Sequence, residues 1–182
     1  MKKLIFTGLM LFSLIMAQAQ EEKVEQISEG KFFVEFGTSF GEANLYSGSS
    51  INFYNDGNAS YYNVGLMGGY FIKDNLAITG SLGHGNIVSD NNFSWGLGAK
   101  YYLLDKLPLA LNLNGSSYDS FNFLSSGRER PLYLGFQAGY AFFIGNNVSI
   151  EPGIRYAIGL KDDAFGNKYN IFSFNVGFSF YF

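Results

Sequence analysis

Residues 169–182 read YNIFSFNVGFSFYF. Every even position from Phe172 is large and apolar (Phe172, Phe174, Val176, Phe178, Phe180, Phe182), and the odd positions between them are Ser173, Asn175, Gly177, Ser179 and Tyr181. Side chains of an extended chain alternate between two faces, so this is a strand with one greasy, aromatic face and one small, polar face. A soluble β-sandwich would have to hide the greasy face against a second sheet. Here the opposite face is made of Gly, Ser and Asn, which suits the inside of a narrow barrel whose aromatic face meets lipid.

The same alternation recurs in seven upstream segments of about 10 residues, the length a tilted membrane-crossing strand requires. Near residues 31–41 the outward set is Phe32, Val34, Phe36, Thr38 and Phe40, and near 61–72 it is Tyr62, Val64, Leu66, Gly68 and Tyr70. Segments near 75–84 (Leu76, Ile78, Leu82), 92–104 (Phe93, Trp95, Leu97, Ala99, Tyr101) and 107–116 (Leu109, Leu111, Leu113) follow. The last two lie near 131–144 (Leu132, Leu134, Phe136, Ala138, Tyr140, Phe142) and 148–160 (Ile150, Ile154, Tyr156, Ile158). The connections alternate in length. Short ones fall at Lys73-Asp74-Asn75, Asp105-Lys106 and Gly145-Asn146-Asn147, and longer polar ones at Gly41–Ser60, Gly85–Asn91, Ser117–Arg130 and Lys161–Lys168. In hydrocarbon every backbone N–H and C=O needs a partner, so the sheet must close. The expectation is an all-β, closed antiparallel eight-stranded transmembrane β-barrel over residues 31–182, with both termini on the periplasmic side and aromatic girdles at both rims.

Ahead of the first strand, Met1-Lys2-Lys3, the apolar run Leu4–Met16 and Ala17-Gln18-Ala19 have the basic, apolar and A-x-A parts of a secretory signal, which is expected to be cleaved after Ala19. The run is too short to span a bilayer as a helix. Residues 20–30 are then a short periplasmic tail. Cleavage removes two lysines and no acid, moving the net charge from −3 to −5, an acidic balance that argues against nucleic acid as a partner. There are no cysteines, so disulfides and thiolate metal sites are excluded. Aromatics at 19% with charged residues at only 15% would make a sticky soluble surface, and lipid tolerates such a face.

These features together resemble the small eight-stranded outer-membrane barrels, the group of OmpX and the OmpA transmembrane domain. Phe178, Phe180 and Phe182 resemble the Phe-terminated signal by which such chains are handed to the barrel-assembly machinery. The resemblance implies insertion in the outer membrane, with membrane lipid and lipopolysaccharide as surroundings. No peptidoglycan-binding domain is expected after Phe182, so cell-wall anchoring is not carried over.

Inward positions hold four charges, Glu35, Lys100, Glu151 and Arg155, beside Asn112, Asn114 and Gln137. Isolated buried charges are costly, so a Glu–Lys–Glu–Arg network is expected, filling the lumen or gating it. Phe71, Tyr102, Phe143 and Tyr181 should lie at similar heights near the short-turn end and close the lumen's floor, since eight strands leave room only for side chains. The resemblance also implies lipid-A-modifying catalysis as a third possibility, since some small outer-membrane barrels are such enzymes; the lone histidine, His84, lies near Ser81 and Ser89, but no His-x-Ser motif accompanies it. The loop acids Asp56, Asp90, Asp119, Asp162 and Asp163 are scattered, and Gly96-Leu97-Gly98-Ala99 lacks the third glycine and the helix of a nucleotide loop. No metal or cofactor is expected. Aromatics in the first long loop (Tyr46, Phe53, Tyr54, Tyr61) and the third (Tyr118, Phe121, Phe123, with Arg128, Glu129 and Arg130) fit surface recognition or an extension of the barrel above the membrane. The favoured function is a non-enzymatic envelope-structural or surface-interaction protein with a largely plugged lumen. The alternative is narrow, porin-like passive transport of small solutes or ions.

Overall fold

A computed structural model describes residues 24–40, 50–55, 60–87, 90–117, 132–161, 168 and 170–182. The expected signal segment Met1–Ala19 and most of the expected third and fourth long loops lie outside the described residues. The strands are β1 (Phe32–Phe40), β2 (Ser50–Asn55), β3 (Ser60–Lys73), β4 (Leu76–Ile87) and β5 (Asp90–Leu103), followed by β6 (Leu107–Ser116), β7 (Leu132–Gly139), β8 (Phe142–Ile144), β9 (Val148–Gly159) and β10 (Asn170–Tyr181). Neighbours pair antiparallel in chain order, and β1 closes the ring. It pairs with β10 from Phe33↔Tyr181 to Phe40↔Phe174 and with β3 from Phe32↔Tyr70 to Glu35↔Met67.

Among the described residues ten strands make eight wall positions. β7 and β8 are one wall strand, both paired with β9 and interrupted at Tyr140–Ala141 opposite Pro152. Proline has no N–H to give the ladder, although its carbonyl still accepts from the Tyr140 N–H at 3.0 Å. β2 pairs with the upper part of β3, from Ser50↔Gly65 to Asn55↔Ser60, beyond the point where β1 leaves it. The stretch expected to be a long loop at Gly41–Ser60 therefore contains a strand. The expected loop at Gly85–Asn91 also shrinks: β4 and β5 continue to the pair Ile87↔Asp90, leaving only residues 88 and 89 between them. The second correction has a plain cause. Above an apolar band the ladder can go on in small polar residues such as Asn86 and Asn91, where hydropathy no longer signals a strand.

At the short-turn end Leu104 and Asp105 both have positive φ, 52° and 60°, and the Lys106 N–H returns to the Leu103 carbonyl at 3.3 Å. That is a type I′ turn, whose twist matches that of the flanking strands. The outer wall exposes Phe32, Tyr70, Tyr101, Phe142, Phe180 and Phe182 at this end, Tyr62, Phe93 and Trp95 at the other, and Leu66, Leu82, Leu97, Leu111 and Phe136 between them. In water such a surface would aggregate; hydrocarbon is its proper solvent.

Inside, large side chains lie in hollows left by glycines on the neighbouring strand. A Cβ at Gly69 would strike the Phe33 ring, one at Gly96 would strike the Asn114 amide, and one at Gly135 would strike the Arg155 guanidinium. Eight strands enclose too little width for a side chain at every inward position, so large and absent side chains alternate across the wall.

Candidate functional site

The short-turn end of the lumen is closed in three layers. Outermost is the segment before β1, whose 3₁₀ turn Glu25–Ile27 folds across the mouth and places Ile27 inside it at 1% exposure. Residues 24–30 of the expected tail therefore pack against the barrel, and residues 20–23 lie outside the described residues. Above Ile27 lie five rings. Phe71 touches Tyr102 at a centroid distance of 6.0 Å, Tyr102 touches Phe143 at 6.3 Å, Phe143 touches Tyr181 at 5.8 Å, and Tyr181 returns to Phe71 at 6.4 Å. Phe33 adds a fifth, 5.6 Å from Phe71 and 6.0 Å from Tyr181. Sequence reasoning missed Phe33, although it stands two residues before Glu35 and so on the same face.

The third layer is ionic. The Lys100 ammonium contacts Glu35 Oε2 and Glu151 Oε2, each at 2.6 Å, with all three side chains almost fully buried. The hydroxyls of Tyr102, Tyr181 and Ser149 donate to the other Glu151 oxygen at 2.9, 2.9 and 2.7 Å. Ser179 donates to Glu35 at 3.3 Å. Lys100 also stands 5.2 Å from the centroids of Phe33 and Tyr102, within cation–π range. The rings thus face two ways, with their edges filling the floor and their hydroxyls and faces stabilising the charges above. Such a cluster meets the condition that buried charges be both paired and hydrogen-bonded.

Arg155 belongs to a different layer. On β9 it is two inward positions beyond Glu151, roughly 13 Å along the strand. Its guanidinium donates to Asn112 Oδ1 at 2.6 Å and Asn114 Oδ1 at 2.8 Å. The four charges expected as one network are arranged as a Lys100-centred trio and an arginine clasped by two amides, with Glu35 the carboxylate whose charge reaches Arg155. Farther toward the long-loop end the inward positions hold mostly Gly, Ser and Asn, with a small apolar cluster of Tyr133, Ala157 and Ile171.

A closed antiparallel ring of eight wall strands, apolar outside and polar inside, can be compared with solved structures. The N-terminal β-barrel domain of OprF from Pseudomonas aeruginosa matches with a TM-score of 0.55 at 17% identity, covering 85% of this chain and 98% of that one. The fold is that of a small outer-membrane β-barrel. OprG from the same organism (TM-score 0.47, 16% identity, 85% and 97% coverage) and Ail from Yersinia pestis (TM-score 0.46, 15% identity, 85% and 100% coverage) are more distant matches. The sequence matches no protein-family model and no curated protein.

Within this outer-membrane barrel fold, the remaining candidates are not brought together. His84 points outward, its Nδ1 3.3 Å from the Tyr62 hydroxyl, while Ser81 is buried on the inward face of β4. An odd spacing along a strand puts the two on opposite sides of the wall, and Ser89 lies outside the described residues. Asp56, Asp119, Asp162 and Asp163, the third-loop residues Tyr118, Phe121, Phe123, Arg128, Glu129 and Arg130, and Tyr46 also fall outside them. Phe178, Phe180 and Phe182 are exposed on the outer wall at the short-turn end. An outer-wall groove of about 580 Å³ among Tyr101, Leu109, Leu111, Phe136, Ile154 and Phe172 is part of the same lipid-facing belt.

Proposed function

We propose that this chain is a non-enzymatic integral outer-membrane protein whose plugged barrel is a rigid pedestal for its long loops, serving envelope structure or surface interaction. The observation that carries this reading is the closure of the lumen at the short-turn end by five rings roofed with the Glu35–Lys100–Glu151 cluster. A conducting pore needs a continuous wet path, and these layers interrupt it. In this reading the signal is removed after Ala19 and both termini face the periplasm. Membrane lipid and lipopolysaccharide surround the wall, and Phe178, Phe180 and Phe182 present the assembly signal. The long loops face outward, where a ligand would be met.

The second reading, passive transport of ions or small solutes through a gated lumen, draws on Lys100 contacting two carboxylates at the same 2.6 Å. Loss of one acid would leave the lysine with the other. Single-channel recording of refolded protein in planar bilayers, beside Glu151→Gln, separates the two. Silent bilayers for both proteins are expected; reproducible steps altered by the substitution would replace the pedestal with a channel.

A further inference from the structure

The segment Val24–Gly30 is joined to the barrel in an unusual way. It contributes one deeply buried side chain, Ile27, while Glu25, Glu29 and Gly30 are exposed. Its bonds run mainly to the short turns and strand ends. Asn75 N–H donates to the Ile27 carbonyl at 2.8 Å, Glu29 N–H to Asp74 Oδ1 at 3.0 Å, the Gln26 side chain to the Gly145 carbonyl at 2.8 Å, and Gly30 N–H to the Phe71 carbonyl at 2.9 Å. A polar cleft of about 230 Å³ among Glu25, Gln26, Lys31, Asn146, Asn147 and Tyr181 flanks it, so water reaches its side. Gly30 has φ +87°, a backbone state that L side chains rarely adopt, and open space lies where a Cβ would be. A glycine held there between a docked segment and a strand has the character of a hinge.

We infer that Val24–Gly30 is a detachable stopper, hinged at Gly30, which seals the floor rings and the ionic cluster from water at the short-turn end. When it is seated, Ile27 completes the buried cluster of Phe33, Phe71, Ala77, Tyr102, Ala141 and Tyr181. When it swings away on Gly30, the wall ladder is intact and the underside of the floor is wet. Segments that bury little and bond through exposed turns open at far lower cost than the strands they cover. The stopper also touches the cluster through the backbone: Asn75, which holds Ile27, accepts from the Tyr102 N–H at 2.8 Å, and Tyr102 holds Glu151. The placement of this end in the periplasm rests on the proposed function; the stopper itself does not.

The chain has no cysteine, so Ala141→Cys provides a single thiol in the floor. Its reaction with a charged maleimide is followed in detergent micelles, where both barrel ends meet the reagent and membrane sidedness plays no part. The thiol should react slowly in the otherwise unaltered chain. Ile27→Asp, which expels the stopper's buried side chain, should speed the reaction by about tenfold or more. Gly30→Val, which disfavours the docked backbone without touching Ile27, should give a smaller acceleration. Heat-resistant migration on electrophoresis reports an intact barrel in each variant. Equal labelling rates in all folded variants would overturn the stopper and leave the pedestal reading standing.

Discussion

Two levels of the lumen solve the problem of a narrow polar interior differently. At the short-turn end a cation is shared by two carboxylates over a floor of rings. In the middle a cation is shared by two neutral amides, Asn112 and Asn114, and lies against the bare backbone of Gly135. Both cations are buried, at 1% for Lys100 and 4% for Arg155. What distinguishes them is what is left behind when the cation goes. Beneath Lys100 are two full negative charges; beside Arg155 are two amide oxygens.

That difference sets the largest expected effect. Lys100→Met keeps the volume and strands Glu35 and Glu151, which should cost about 3–5 kcal/mol in urea unfolding of the refolded barrel. Arg155→Met leaves neutral acceptors short of a donor and should cost about 1–3 kcal/mol. Equal losses would mean that Arg155 neutralises the carboxylate cluster at longer range, and the two-layer description would fall.

Gly135→Val comes next. The new side chain would occupy the place of the Arg155 guanidinium, and overpacking of this kind should cost about 1–3 kcal/mol. In the Arg155→Met background the flexible methionine can move aside, so most of that cost should vanish, a coupling that a double-mutant cycle reads directly. Additive losses would show that Gly135 is required by its other close neighbour, the Asn112 side chain, rather than by the arginine.

How much of this could be read from the chain follows the physics of each part. The wall strands were legible because lipid outside and polar groups inside write a period of two on every crossing, and β10, with Phe172 through Phe182, is its clearest case. β2 was not legible as a wall strand, since Ile51 and Phe53 do alternate with Ser50 and Asn52 but the six residues Ser50–Asn55 fall short of the length of about 10 that a membrane crossing requires. The floor rings were placed on one face by parity, but cross-strand height depends on register, which alternation does not specify; this hid the fifth ring, Phe33, whereas the separation of Arg155 from Glu151, four residues apart on β9, was already written in their spacing. Val24 and Ile27, the only apolar residues between Gln20 and Gly30, are spaced for one turn of helix. That spacing was the single sequence trace of the stopper.

The smallest effects give the sharpest test, because the same residue occurs in both environments on the same inward face. Ser149 is fully buried and donates to Glu151 at 2.7 Å, so Ser149→Ala removes a charge-assisted bond and should cost about 1–3 kcal/mol. Ser173 is 2% exposed, sits opposite Arg155 in register, and its hydroxyl has no hydrogen-bond partner among the described residues. A buried hydroxyl without a partner carries a desolvation cost, so Ser173→Ala should leave the barrel as stable or more stable by about 1 kcal/mol. Opposite signs from one chemical change, measured in the same unfolding assay, are what a tightly bonded floor and a loosely bonded upper lumen require. If Ser173→Ala were as damaging as Ser149→Ala, its hydroxyl would have to be bonded to water, and the upper lumen would be a wet vestibule standing above a sealed floor.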